Sequence, residues 1–374
     1  MTEFTVIGGG VIGLMIARQL ALEGASVELL ESSQPGREAS WAGGGILSPL
    51  HPWRYPDPLL RLATRSQQVF KTLVDDLQRV TGIDSQWRRS GLLIVDGAEK
   101  EQALAWGQRW RMALQVVEGK ALHECEPALS TAFTQGLFLP EIAQLRNPRL
   151  LAALKRHLQI LEVPVLANTQ VEAFTTRGPR LTHALTRQGK HPVNTAIICA
   201  GAWGAQLLAT TGLTLPVEPV RGQMMVIKTP VDTVQKIILN GPRYLIPRSD
   251  GRVLVGSTIE HCGFDKQTTQ SARQELQASA IAMAPGLKDW PVEHHWAGLR
   301  PGSPSGVPYI GPHPQLDNLY SAIGHFRNGL MSAPATAELM LDLLTHRAGV
   351  LDASEYDHAN FMLGAERRAE QHDS

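Results

Sequence analysis

The run Gly8-Gly9-Gly10-Val11-Ile12-Gly13 sets three glycines at GxGxxG spacing, and a carboxylate, Glu31, follows twenty-three positions after Gly8. Each part has a chemical use. Gly8 permits a tight turn, Gly10 lets a pyrophosphate approach bare backbone, Gly13 lets a helix close on a strand, and the helix N-terminus favours phosphate charge. Glu31 is placed to accept ribose hydroxyls. An acid at that point disfavours a 2′-phosphate, so the pattern points to FAD or NAD and away from NADP, without choosing between the first two. A second stretch, REASWAGGGIL over residues 37–47, carries three glycines in a row, Gly43 to Gly45. They leave backbone N–H groups accessible to a flat ring; a flexible loop is the competing reading. The neighbours His294-His295 and the lone His51 suggest no metal site, because adjacent histidines on a strand point to opposite faces and no acid-rich cluster stands nearby. No metal is expected.

These residues need elements to hold them. Phe4 to Ile7 reads as a strand, about Val11 to Glu23 as a helix and Ser26 to Glu31 as the next strand, a βαβ unit that opens a doubly wound sheet. Apolar residues recur at helical spacing from Leu59 to Thr81, and Ser90 to Asp96 reads as a strand. Arg149 to Leu161 is a predicted helix and Pro164 to Ala173 is extended. Asn194 to Ala200 is a short apolar run stopped by Gly201, as expected of a parallel strand buried on both faces. After Pro219 the pattern changes: Met224 to Lys228, Tyr244 to Pro247 and Val253 to Ser257 are strands separated by turn residues such as Ser249-Asp250-Gly251, which predicts an antiparallel sheet. Helical pattern returns near Pro334 to His346, and the charged tail over residues 366–374 is expected to be mobile.

Bulk properties narrow the function classes. At 374 residues the chain exceeds what one core usually serves. With 43% hydrophobic and 19% charged residues it has ample material to bury. Lys+Arg and Asp+Glu balance at 35 each, so no net field favours nucleic acid or an anionic membrane surface, and a small-molecule partner is expected. Cys125, Cys199 and Cys262 show no CxxC spacing, which argues against disulfides and zinc and fits a reducing, cytoplasmic setting. No run of eighteen apolar residues is present to span a bilayer, and the N-terminal strand and glycine turn do not read as a cleavable signal.

Several motifs together resemble the flavin amine oxidases related to D-amino acid oxidase and monomeric sarcosine oxidase, and among them the glycine oxidases of thiamine biosynthesis. Beside the GxGxxG run and REASWAGGGIL, they are Ala200-Gly201-Ala202-Trp203, Arg221-Gly222-Gln223, Gly298-Leu299-Arg300-Pro301, Pro308-Tyr309-Ile310-Gly311 and Gly324-His325-Phe326-Arg327-Asn328-Gly329. The resemblance runs along nearly the whole chain. It implies an α/β fold with an α+β substrate part: a discontinuous, FAD-binding Rossmann-like domain from residues 1–85, 145–218 and 298–365, and an antiparallel-sheet substrate domain from 86–144 and 219–297.

By the same resemblance, Ala39, Ser40 and Gly44, Gly45 and Ile46 would lie against the flavin and its phosphates, and Val171 would meet the adenine part through its backbone. His325, Arg327, Asn328, Gly329, Leu330 and Met331 would lead into a helix whose N-terminus faces the flavin pyrimidine, where it would stabilise charge on the reduced ring. Val11, Ile12, Ser32 and Gly201 complete the implied cofactor set. Some sarcosine oxidases hold FAD through a cysteine in this region, but none lies between Arg300 and Gly311, so noncovalent FAD is expected.

Arg300 would pair bidentately with a substrate carboxylate, Tyr244 would share that carboxylate, and Arg327 would close over the flavin. The implied reaction is hydride transfer from the substrate α-carbon to flavin N5 with the amine neutral and no protein base demanded. The imine would hydrolyse to glyoxylate and ammonia, and O2 would be reduced to H2O2. Glycine is the expected substrate, with sarcosine, N-ethylglycine and D-alanine as further candidates. Ile259 stands where the best-known glycine oxidases carry a methionine on the pocket sheet and is expected to reshape the pocket. A D-amino acid dehydrogenase with a quinone acceptor, an NAD-dependent dehydrogenase and a noncatalytic flavin-fold protein are the competing readings. Similar glycine oxidases form homotetramers and supply the thiazole of thiamine; a homo-oligomer with that role is the matching expectation.

Overall fold

The computed structural model describes residues 2–358 other than Asp96 and Ala98, so the charged tail over 366–374 lies outside the described residues. Strand Phe4–Ile7 is buried at every position, which a βα-type strand covered by helices requires. It lies inside a six-stranded sheet of order Tyr309–Pro312, Leu319–Ile323, Thr195–Ile198, Phe4–Ile7, Val27–Leu30 and Val165–Leu166. All pairings are parallel except that of Tyr309–Pro312 with Leu319–Ile323. The chain leaves Phe4–Ile7 toward Val27–Leu30 and later returns on its other side as Thr195–Ile198. That reversal opens a crevice at the carboxyl ends of the two central strands, the place where open α/β sheets bind ligands.

Helix Val11–Leu22 follows the glycine turn and is buried along most of its length, with no polar face to turn outward. Its approach to the sheet depends on Gly13: a Cβ there would come 1.9 Å from the Gly8 carbonyl oxygen. Arg18, inside this packing, donates to His157 Nδ1 at 3.0 Å and to Asp76 at 2.8 Å, tying the helix to Asn147–Ile160 and Asp57–Thr81. Leu14, Leu20, Phe70, Leu77, Leu154 and Met340 share one core with that cluster. The last helix, Gly329–Thr345, begins five residues before the predicted start and carries Pro334 inside it. Pro334 is the sixth residue of this helix, so the helix forgoes the hydrogen bond from residue 334 to the Leu330 carbonyl, and the packing of buried Ala333, Pro334 and Ala335 carries the helix through the ring.

The second sheet has eight strands in the order Val292–Gly302, Glu218–Lys228, Arg252–Gly256, Arg243–Pro247, Ile237–Asn240, Leu92–Ile94, Gln135–Leu139 and Gln115–Glu118. It is antiparallel as expected, apart from one parallel pairing of Ile237–Asn240 with Leu92–Ile94. Glu218–Lys228 starts six residues earlier than predicted because it pairs with Val292–Gly302 along its whole length, Val220 opposite Arg300 and Gly222 opposite Gly298. This long two-stranded arm carries side chains from the second sheet to the mouth of the first. A separate antiparallel sheet of Val171–Arg177, Arg180–Thr186 and Gly189–Pro192 flanks the first sheet.

Gly13→Ala is expected to lower unfolding stability by about 1–3 kcal/mol, the usual cost of overpacking, read as a lower urea midpoint at unchanged slope. A wild-type midpoint would show that the helix does not depend on this contact.

Candidate active site

A cavity of about 600 Å³ runs from the carboxyl ends of the central parallel strands to the face of the second sheet. Of the residues singled out in the sequence, Gly8, Gly10, Val11, Ile12, Glu31, Ser32, Ala39, Ser40, Gly44, Gly45, Ile46, Val171, Gly201, Tyr244, Arg300, His325, Arg327, Asn328, Gly329, Leu330 and Met331 all line it. Gly13 lies behind the wall, in the packing described above.

At one end Glu31 has a task that its spacing did not announce. One carboxylate oxygen accepts from the Gly9 N–H at 2.7 Å, the other from the Ser32 hydroxyl at 3.0 Å and the Ser33 N–H at 2.9 Å. The acid therefore fixes the glycine turn while still facing the cavity. Ser40 Oγ accepts from the Val11 N–H at 2.9 Å, joining the second glycine segment to the N-terminus of the first helix.

That second segment is not a free loop. After the short helix Ala39–Ala42, Gly45 takes a left-handed φ of 79°. Asn147 donates to the Ser40 carbonyl at 2.8 Å and Leu145 N–H to the Gly45 carbonyl at 3.0 Å. The buried Arg248 donates to the carbonyls of Gly44 at 2.7 Å and Leu145 at 2.8 Å and to Gln144 Oε1 at 2.7 Å. Burial pushes its guanidinium down to about 9, with Arg146 adding to the fall and Asp250 opposing it, which still leaves a cation at neutral pH. Neither Asn147 nor Arg248 belongs to a motif, and sequence reading missed both. The one signal was an arginine directly following the apolar strand Arg243–Pro247.

At the other end, Tyr244 on Arg243–Pro247 and Met224 on Glu218–Lys228 form an apolar wall with Ile46 and Leu50; the Tyr244 hydroxyl lies 3.7 Å from Met224 Sδ. Arg300 projects from Val292–Gly302 across the backbone of Gly222, where a Cβ would stand 2.1 Å from the guanidinium. Its Nη2 donates to Ser257 Oγ at 2.8 Å, and Nη1 to the carbonyls of Thr258 at 3.1 Å and Arg221 at 3.4 Å. All three acceptors are neutral. Burial pushes the Arg300 guanidinium down to about 10; Tyr244 and Glu260 favour its charge and Arg327 opposes it. Among the described residues Arg327 Nη2 and Asn328 Nδ2 are buried with no partner. Desolvated donors without acceptors are costly unless a ligand completes them, and the two cations Arg300 and Arg327 on this wall ask for an anion.

The Gly329–Thr345 helix starts at this wall. His325, just before it, shares a hydrogen bond of 3.1 Å with Thr336 Oγ1, and burial pushes its imidazole down to about 3, so it is neutral. Trp41 and Trp296 pack edge to face at 6.0 Å, and Trp296 Nε1 donates to the Ala42 carbonyl at 3.0 Å, a packing role. Ile259 is 43% exposed and does not line the cavity; Met224 is the flexible apolar residue on the wall. Among the described residues no group of three or more His, Cys, Asp or Glu could hold a metal, and no helix is long and apolar enough to cross a membrane.

The wall fits FAD: bare glycine backbone and a helix N-terminus at Gly10 and Val11 for the phosphates, a clamped glycine segment for a flat ring, and unpartnered donors at Arg327 and Asn328. The comparisons with known proteins agree. Residues 3–343 match the family described as FAD dependent oxidoreductase. The chain is 42% identical to the glycine oxidase of Pseudomonas putida over 95% of its own length and 97% of that protein's. It is 32% identical, over 92% of its length, to a bifunctional protein ThiO/ThiG of Synechocystis, of which the match covers 51%. The fold superposes on the crystal structure of glycine oxidase from Geobacillus kaustophilus with a TM-score of 0.90 at 28% identity, covering 95% of this chain and 97% of that one.

Two outcomes follow from this geometry. Arg248→Met leaves the Gly44 and Leu145 carbonyls unpaired and is expected to weaken FAD retention about tenfold or more, at the 1–3 kcal/mol that buried unsatisfied groups cost; equilibrium dialysis of FAD against the apoprotein measures it. For His325 the folded imidazole binds its proton far less readily than the unfolded one, so the unfolded state gains protons first as pH falls. Stability is therefore lost from about pH 6.5 downward, by roughly 2 kcal/mol at pH 5 relative to pH 7. His325→Gln should flatten that limb in denaturant titrations, and an unchanged limb would refute the assignment.

Proposed function

This chain belongs to the family of FAD-dependent oxidoreductases, and from that premise we propose that it oxidises glycine, releasing an imine that hydrolyses to glyoxylate and ammonia while O2 becomes H2O2. The observation that carries the reading is the convergence of Arg300, Arg327 and Tyr244 on one cavity, with buried donors on Arg327 and Asn328 that no acceptor among the described residues satisfies. Bound noncovalently, FAD supplies the acceptor for the substrate's hydride and the route of its electrons to oxygen.

The protein's own part is binding and orientation. Arg300 presents its unfilled N–H groups to the substrate carboxylate, and the Tyr244 hydroxyl shares it. With the carboxylate fixed, the α-carbon and amine are confined between the Tyr244–Met224 wall and the glycine segment. The apolar surroundings favour the neutral amine, from which hydride departs. The carboxylates on the cavity wall, Glu31, Glu38 and Glu172, stand on segments that hold the glycine turn, the Ala39–Ala42 helix and Val171, and not on the strands of Tyr244 and Arg300. A protein base is accordingly not invoked, and orientation supplies much of the acceleration.

The same reading assigns 1–85, 145–218 and 298–365 to FAD binding and 86–144 and 219–297 to the substrate side, and takes the protein as a cytoplasmic homotetramer, which light scattering tests. The likeness to a bifunctional ThiO/ThiG protein supports a role in forming the thiazole of thiamine.

The purified protein should show flavin bands and form peroxide fastest with glycine among glycine, sarcosine and D-alanine. Arg300→Ala should keep its flavin and lose about a hundredfold in kcat/KM for glycine, the equivalent of a charged hydrogen-bonded pair worth about 3 kcal/mol. Flavin that bleaches with glycine but regains colour only with a quinone would overturn the oxidase assignment.

A further inference from the structure

Beside Arg300 lies a carboxylate that makes no contact with it. Glu260 follows the Ser257–Thr258 segment whose hydroxyl and carbonyl hold the Arg300 guanidinium, and its charge reaches that group. A half-buried arginine this near a carboxylate ordinarily pairs with it. Here every acceptor position of Glu260 is filled by something else. One oxygen accepts from Arg221 Nε at 3.0 Å and Nη2 at 2.5 Å; the other accepts from Gln223 Nε2 at 2.8 Å and from the Thr258 hydroxyl. Four donors saturate the lone pairs of a carboxylate. Although burial opposes it, the hydrogen bonds from Thr258, Arg221 and Gln223 keep Glu260 ionised below the usual carboxylate range.

Arg221 is itself buried, is locked to Asp265 at 2.6 Å, and exchanges backbone hydrogen bonds with Glu260 at 2.9 and 3.0 Å. It sits one residue before Gly222, across whose backbone Arg300 lies. We propose that Arg221 is a positioning residue that occupies Glu260, so that Arg300 stays unpaired and open to the substrate carboxylate. The inference rests on the reading of Arg300 as the carboxylate-binding group. Without the Arg221 cation, Glu260 turns toward Arg300 and competes with substrate for the same N–H groups. The competition acts on binding, not on the geometry of the bound substrate.

The test is steady-state kinetics of the FAD-loaded enzyme with glycine, together with acetate binding followed by the flavin spectrum. Arg221→Gln should raise glycine KM and the acetate dissociation constant by about tenfold or more while kcat stays within about threefold, the signature of lost ground-state binding. Adding Glu260→Gln to that variant should bring both constants back to within about threefold of the parent, a non-additivity that a merely structural role does not produce. A double variant as weak as Arg221→Gln alone would overturn the proposal. If Arg221→Gln does not fold, Glu260→Gln alone decides: KM at or below the parent value supports the proposal, and a rise of about tenfold or more overturns it, because Glu260 would then be holding Arg300 in place. Arg300→Ala separates the two levels. If it leaves glycine KM and acetate affinity unchanged, the carboxylate-binding reading itself fails; if it weakens both while Arg221→Gln does not, only this inference fails.

Discussion

Everything at the centre of this molecule is arranged around guanidinium groups taken out of water. Arg248 and Arg300 are held by neutral oxygens, and Arg327 presents a buried Nη2 that no acceptor among the described residues takes up. Removing such a cation from water costs several kcal/mol before any partner is counted. Carbonyl dipoles offset part of that cost, and they do so only where the backbone is locked in place. The clamped segments around Gly44, Leu145, Thr258 and Arg221 are therefore conditions for the charges, as much as the charges are anchors for the segments. On the proposed reading, what the protein leaves unsatisfied toward the cavity is what an anionic ligand completes.

This constraint explains why the two sheets meet as they do. The long pair Glu218–Lys228 and Val292–Gly302 delivers Arg300 to the cavity, with Gly222 leaving room for its guanidinium. The first sheet supplies the carboxyl-end crevice and the glycine turn. Arg248, from the second sheet, reaches back to the Gly43–Gly45 segment that follows the first. Each unit thus finishes a surface of the other, and the cavity wall is a joint product of segments far apart in the chain.

That jointness marks what sequence reading reached and what it did not. The GxGxxG turn, the central strands and the helix Val11–Leu22 were legible because local spacing and periodicity encode them. The placement of Arg300, Tyr244 and Arg327 on one cavity came through resemblance. Arg248, Asn147 and the saturation of Glu260 were not legible, because each depends on contacts between segments separated by tens to hundreds of residues. Ile259 shows the opposite failure: a matched position gave it a pocket role, yet its side chain is exposed and stands off the cavity wall. Local pattern places the start of the last helix five residues late, at Pro334, because tertiary packing carries the helix through an interior proline and local pattern does not encode that packing.

The same clamping bears on how a substrate without a side chain is preferred. One methylene in an apolar pocket is worth only about 1–3 kcal/mol, so selectivity for glycine has to come from excluding larger molecules, not from attracting the smallest. Exclusion needs a wall that does not yield. A Cβ at Gly44 would meet Ile246 at 2.6 Å, Tyr244 at 3.4 Å and Met224 at 3.5 Å, so the glycine segment already presses on the face that carries Tyr244. Widening the pocket there means moving that segment, and Arg248 and Asn147 hold it by the Gly44 and Ser40 carbonyls. On the proposed reading, substrate size is read through the rigidity of the glycine segment, and the residues that set that rigidity are the buried donors Arg248 and Asn147.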